Sequence, residues 1–272
     1  MLRKGKTDFW RLKRLVLILL CCLPVLSVPV QAQNAPFRIG LSKTSPNYIS
    51  WLKRSDSSVI TVNLYTLSID SALTLLAECD GLVVTGGEDI YPGLYGKDDA
   101  WAKCADVNRH RDSLDFALVR KAIKEKIPLI GICRGCQMMN VVLKGTLLPD
   151  IPEKTGNSVI HRQEDYLHCY HRITVVEHSF LGSLCHCDSG RVTSNHHQAV
   201  ERISPVLRFS ACSPDGIIES IEWKKPGGKP FLLGVQWHPE RMEKDNPLSG
   251  LLADAFLREC SLNHNTNKLT RK

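Results

Sequence analysis

"PLIGICRGCQMMNVV", residues 128–142, decides how this chain is read. Its first half is a continuous apolar run, the pattern of a strand buried on both faces. Its second half has the spacing of a helix. The joint falls at Cys133, with Gly131 and Gly135 on either side. Small residues there allow the sharp strand-to-helix turn that exposes a nucleophile, as in Gly-x-Ser-x-Gly hydrolases. A helix N-terminus also favours an anionic sulfur over a neutral one. The same residues read Cys133-x-x-Cys136, the spacing of a redox dithiol or of half a metal site. An ordinary βα turn with a buried cysteine fits as well, so the stretch alone leaves the choice open.

Outward from it, short apolar runs alternate with helical stretches. Strands are expected at 37–41, 58–65, 81–87 and 127–133. Helices are expected over "SPNYISWLKRS", "SIDSALTLLAE" and "RGCQMMNVVLKG". Asp112 is expected to cap a helix over "SLDFALVRKAIKEK", with Leu114, Ala117, Leu118 and Ile123 as its apolar stripe. The second half is richer in strands: "HRITVVE", "GRVTSN", "VLRFSAC", "GIIESIEW" and "FLLGVQW". A final amphipathic helix is expected over 248–260. Strands alternating with helices imply a parallel sheet in an α/β sandwich. No linker divides the chain, so residues 33–272 read as one domain.

The first 32 residues differ in kind. A basic stretch ends at Arg14, the apolar run "LVLILLCCLPVLSVPV" follows, and Val30 and Ala32 form a cleavage pair. This predicts a secretory signal removed before Gln33 and an exported, periplasmic or secreted protein. The run is broken by Pro24 and Pro29, short for a retained membrane anchor, the alternative reading. The signal holds six of the 35 Lys and Arg and one of the 28 acids, so the formal charge of +7 drops to +2 without it. No basic patch interleaved with aromatics remains, which argues against a nucleic-acid partner. Nine of the eleven cysteines survive cleavage, an odd number, so at least one thiol has no partner within the chain.

A cysteine nucleophile needs a base, and the base needs an orienting group. "GVQWHPE" offers both: on a strand, His238 and Glu240 would share a side. An oxyanion needs donors. "TGGEDIYP" offers the amides of Gly86 or Gly87 after a strand, and Arg134 offers a second at the helix start. Competing chemistries fit less well. A dithiol enzyme has no use for the His-x-Glu pair, haem attachment needs histidine where Gln137 stands, and Cys185-x-Cys187 has the wrong spacing for a four-cysteine zinc site.

Together "TGGEDIYPGLYG", "RDSLD", "PLIGICRGCQMMNV", "SNHHQAV", "SPDGIIESIE" and "GVQWHPE" resemble the class I glutamine amidotransferase-like family, most closely its gamma-glutamyl hydrolase branch, which includes gamma-glutamyl-gamma-aminobutyrate hydrolases. The resemblance spans about residues 36–260. It implies a flavodoxin-like three-layer sandwich around a central, mostly parallel sheet. It implies Cys133 as nucleophile, His238 as base, Glu240 as orienter, and oxyanion donors at Gly87 and Arg134. Gly86, Gln137, His197 and Gln198 fall on its substrate side. The implied partner is a small gamma-glutamyl substrate, with no metal or cofactor, and homodimers are common in the resembling families. A glutaminase subunit passing ammonia to a synthetase is the related alternative. Three positions depart from the family pattern: Lys144 replaces the first glycine of Gly-Gly-Thr-Leu, Asp115 replaces a glutamate, and Thr193 replaces an asparagine.

Overall fold

The structure is a computed structural model that describes residues 37–270. The expected signal lies outside the described residues. The described residues fall in one compact unit. Among the described residues no helix is long and apolar enough to cross a membrane.

Five parallel strands make the centre: β1 (Arg38–Leu41), β2 (Ile60–Asn63), β3 (Gly81–Val84), β4 (Leu129–Ile132) and, late in the chain, β11 (Leu232–Val235). Their order is β2-β1-β3-β4-β11, the flavodoxin-like arrangement. Beyond β11 the sheet turns antiparallel through β10 (Ile218–Trp223), β9 (Leu207–Cys212), β6 (Tyr170–Val175) and β7 (Ser189–Thr193). Two short strands, β5 (Leu147–Leu148) and β8 (Ala199–Val200), pair with each other and hang from β10.

Side-chain alternation explains why the central strands read as unbroken apolar runs. Ile39, Leu41, Val83, Ile130, Ile132, Leu233 and Val235 face one core. Leu82, Val84, Leu129 and Leu232 face the other. Both faces are buried, so both phases of the period-two pattern are apolar. Helix α1 (Pro46–Ser55) and the C-terminal α7 (Gly250–Thr270) cover the first face with Trp51, Leu52 and Phe256. Helices α2 (Ile69–Leu76), α3 (Arg109–Lys124) and α4 (Arg134–Val142) cover the second with Leu76, Leu114, Leu118 and Met138. The short helices α5 (Ile151–Thr155) and α6 (Phe180–Cys185) lie in the second half of the chain.

One helix start differs from the sequence expectation. Helix α3 begins at Arg109, and the Asn108 side chain, not Asp112, caps it by accepting the Arg111 amide at 3.0 Å. Asp112 instead lies one turn in, buried, where its carboxylate is committed to Arg134. The apolar stripe shifts with it: Val119 and Ala122 are buried with Leu114 and Leu118.

Candidate active site

The end of β4 points Cys133 into a cleft at the carboxyl edge of the sheet, where open α/β sheets hold their ligands. Cys133 has φ 52° and ψ −108°, a conformation L-residues avoid. The surroundings hold it there. Its amide donates to Val235 O at 2.8 Å on the adjacent strand. The flanking glycines are required by close approach. A Cβ on Gly135 would stand 1.9 Å from Val84 O, and one on Gly131 would stand 2.3 Å from Met139 Sδ. The sharp turn therefore needs a residue without a side chain on each side of the cysteine.

Cys136 goes the other way. It is fully buried in the second core, and a Cβ on Gly234 would lie 3.0 Å from its Sγ. Burial raises its thiol well above the ordinary range. The Cys-x-x-Cys spacing is thus one helical turn with the two side chains in opposite layers, Cys133 belonging to the first core. None of the nine described cysteines is in a disulfide.

His238 follows β11. The strand ends at Val235, and Pro239–Arg241 form a 3₁₀ turn, so strand alternation does not bring His238 and Glu240 together as the sequence reading supposed. The turn does. His238 Nδ1 lies 2.7 Å from Glu240 Oε1, both side chains buried. The His238 amide donates to Thr193 O at 2.9 Å, and Ser249 Oγ donates to Pro239 O at 2.7 Å, which pins the turn to β7 and to the start of α7. His238 Nε2 has no hydrogen-bond partner among the described residues. It is free to face the thiol: a Cβ on Gly86 would lie 3.2 Å from His238 Cε1 and 3.5 Å from Cys133 Cβ, so the ring and the sulfur side converge on one point. Burial alone would lower the imidazolium pKa. The Glu240 carboxylate and the Cys133 sulfur outweigh it and raise it from 6.5 to about 9.

The side carrying the expected oxyanion donors is held by the "RDSLD" stretch. Arg111, fully buried, donates through Nη2 to Thr85 O, Thr85 Oγ1 and Gly86 O, and through Nη1 to Glu88. This fixes the loop after β3. Gly87 has φ 153°, and a Cβ there would lie 2.4 Å from Arg111 Nη1, so only glycine fits over the guanidinium. Asp112 and Asp115 in turn grip the Arg134 guanidinium, Asp112 at 2.6 Å. The shorter Asp115 still reaches it, which accounts for an aspartate at that position. Arg134 is the first residue of α4, so its amide has no intrahelical acceptor and remains for a ligand. Both backbone groups of Gly86 are taken: its amide donates to the Tyr48 hydroxyl at 2.9 Å and its carbonyl accepts from Arg111. The backbone of Gly86, expected on the substrate side, is thus engaged within the protein. Its glycine makes room for His238.

A cleft of about 240 Å³ opens over Cys133 and is lined by Gly87, Arg134, Gln137, Arg162, His197 and Gln198 among others. Gln137 Nε2 donates to Gln198 O at 2.9 Å and to Gln236 Oε1 at 3.2 Å. A carbonyl only accepts, which fixes the amide orientation and leaves Gln137 Oε1 for a ligand. Both His197 nitrogens are already engaged, Nε2 with Asp89 at 2.8 Å and Nδ1 with Asp150 at 3.4 Å. The Asp89 hydrogen bond raises the His197 pKa against its burial. His197 thus fastens the cleft wall rather than reaching into it. Two residues were not legible in the sequence. Tyr48, on α1, seats Gly86. Arg162 is exposed on the cleft rim with no ion-pair partner among the described residues, and "VIHRQ" carries no signal that marks it.

Comparison with known proteins places the chain among relatives. The chain is 33% identical over 218 residues to Protein NtpR of Enterococcus hirae, covering 79% of this chain and 89% of that protein. It is 33% identical over 194 residues to a gamma-glutamyl-gamma-aminobutyrate hydrolase of Escherichia coli O157:H7, covering 68% of this chain and 74% of that protein. A glutamine amidotransferase of known structure from Thermotoga maritima superposes with a TM-score of 0.55 at 17% identity, over 82% of this chain and 98% of its own. At that identity the likeness concerns the fold alone. A family model, Peptidase C26, matches residues 24–240. The chain belongs to the Peptidase C26 family, of class I glutamine amidotransferase-like fold.

Proposed function

We propose that the protein hydrolyses gamma-glutamyl amide bonds through a gamma-glutamyl thioester on Cys133. The observation that carries this reading is the buried line Cys133–His238–Glu240, with the thiol on a strained turn and the far imidazole nitrogen locked at 2.7 Å. The raised His238 pKa supports an imidazolium that can give a proton to the leaving group.

In the forward step the sulfur attacks the side-chain carbonyl of the glutamyl group. The amides of Gly87 and Arg134 donate hydrogen bonds to the developing oxyanion. His238 gives its proton to the leaving amine, and the carbon–nitrogen bond breaks. His238, now neutral, takes a proton from water, which attacks the thioester and releases glutamate and the Cys133 sulfur. The cleft offers complementary groups for the α-substituents: Gln137 Oε1 as an acceptor for the ammonium, and the Arg162 cation for the carboxylate. The relative named gamma-glutamyl-gamma-aminobutyrate hydrolase supports the substrate class.

The test is glutamate release from gamma-glutamyl amines, gamma-glutamyl dipeptides, folyl-polyglutamates and glutamine, comparing the protein with Cys133→Ala. Release from at least one gamma-glutamyl amide, abolished in the variant, is expected. Equal release by both proteins on every substrate would overturn the reading. Release from glutamine alone would shift it to a glutaminase.

A further inference from the structure

A second cluster of reactive side chains adjoins the cleft and shares His196 with its wall. His161, His171, His196 and Glu219 are all buried, and one ligand atom from each falls within 4.8 Å of the others. They come from separate segments: the loop before β6, β6 itself, the loop after β7, and β10. His161 Nδ1, His171 Nε2 and His196 Nε2 lie 3.3, 3.4 and 3.5 Å from the same atom, Glu219 Oε1. His161 Nδ1 lies 3.3 Å from His196 Nε2.

The outer nitrogens settle the proton positions. His171 Nδ1 faces Arg172 O at 3.1 Å, and His196 Nδ1 faces Gln198 O at 3.0 Å. His161 Nε2 faces the Asp215 carboxylate at 3.2 Å. All three partners are acceptors only, so each neutral ring carries its proton on the outside. The inner nitrogens then present lone pairs to one another and to a carboxylate. Consistent with that, His171 Nε2 and both Glu219 oxygens are buried with no hydrogen-bond partner among the described residues. A single proton among these four groups can serve only one of the short contacts to Glu219, and the remaining lone pairs repel unless a cation lies among them. The outer hydrogen bonds are those that orient metal-ligating histidines.

The spacing selects the cation. A tetrahedral ion with arms of about 2.0–2.1 Å has edges of roughly 3.3–3.4 Å. Four of the six edges here are 3.3–3.5 Å. Three imidazoles and one carboxylate are borderline ligands, which suit zinc and not the oxygen-seeking magnesium or calcium.

We propose that His161, His171, His196 and Glu219 bind a tetrahedral divalent transition-metal ion, zinc by ligand type and size. Every corner of the tetrahedron is protein, so the site is structural. The ion ties the loop bearing His196, His197 and Gln198 to β6 and β10. Gln198 O links it to Gln137, and Glu219 O accepts the Gln236 amide at 2.8 Å. It therefore stiffens the cleft wall. No ligand pair is close in sequence, which is why no spacing motif marks the site. The proposal does not rest on the hydrolase reading.

The test uses untagged protein. Metal content is measured after purification without chelator, and the stripped protein is then titrated with Co²⁺. One ion per chain, visible d–d absorption of tetrahedral intensity, and a melting temperature raised by added Zn²⁺ are expected. His171→Ala and Glu219→Gln should each lose the absorption and the Zn²⁺-dependent shift. The wild-type titration stands even if a variant fails to fold. No bound ion and no Co²⁺ uptake by wild type would overturn the proposal. Undiminished tetrahedral uptake in both folded variants would place the ion elsewhere and overturn it too.

Discussion

At the scale of single residues, the site is organised by where protons sit. His238 is held as imidazolium by Glu240 and Cys133 against the cost of burial. Its pKa is raised in the fold, so the stability it contributes is complete below its ordinary value near 6.5 and is lost as pH rises through about 9. In the proposed mechanism the same proton goes to the leaving amine, so kcat/KM should fall above pH 9. Glu240→Gln removes the charge that raises it most. The alkaline limb should then move to lower pH, and kcat should fall by roughly 10²–10⁴, the scale seen when a triad orienter is neutralised. An unmoved limb in a pH–rate profile would separate Glu240 from the proton. Cys136 supplies the contrasting case. Its thiol packs on Gly234 in the second core and titrates far above neutrality. Cys136→Ala should cost about 1 kcal/mol of stability from the lost packing and leave kcat within about twofold. A loss of turnover matching Cys133→Ala would revive the dithiol reading.

At the scale of elements, the fold repeats one device: a helix start or end placed against a strand end by backbone that only particular residues tolerate. Helix α4 shows both ends of it. Its start is the strained Cys133 between two required glycines. Its end is a Schellman turn, with the Gly145 amide donating to Asn140 O and the Lys144 amide to Val141 O. The αL position falls on Lys144, at φ 76°. A lysine there is strained where glycine is not. Lys144→Gly should therefore stabilise the protein by about 1 kcal/mol, roughly 2–4 °C in melting temperature, with kcat unchanged. A lower melting temperature in a thermal scan would contradict this. The central strands and their helices were legible because burial on both faces writes itself as apolar runs, and Cys133 was legible because the turn demands glycine on both sides. The start of α3 was not. Asp112 is a good capping residue, but Arg134 competes for its carboxylate and Asn108 takes the cap. His238 and Glu240 were paired correctly for the wrong reason, since a 3₁₀ turn and not a strand brings them together. Tyr48 and Arg162 gave no signal, because their roles depend on contacts made across the fold.

At the scale of the whole molecule, chain segments about a hundred residues apart meet at one edge of the sheet. The parallel half brings the ends of β3, β4 and β11 side by side, which delivers Gly87 and Cys133 to one cleft and sets His238 beside Gly86 and Cys133. The antiparallel half contributes the wall that carries Gln198 and the buried histidine cluster. The α3 arginine and aspartates couple the β3 loop to the start of α4, so the two amides proposed to hold the oxyanion are set by one buried charge network. The central claim is that this assembly forms a thioester on one sulfur. It is tested most directly by acid-quenching the protein during turnover of a gamma-glutamyl amide and mapping the adduct by peptide mass spectrometry. The account predicts a glutamyl group on the peptide that contains Cys133, absent in Cys133→Ala and accumulating in Glu240→Gln if water attack slows more than acylation. Turnover with no adduct on Cys133, and glutamate release surviving in Cys133→Ala, would contradict it.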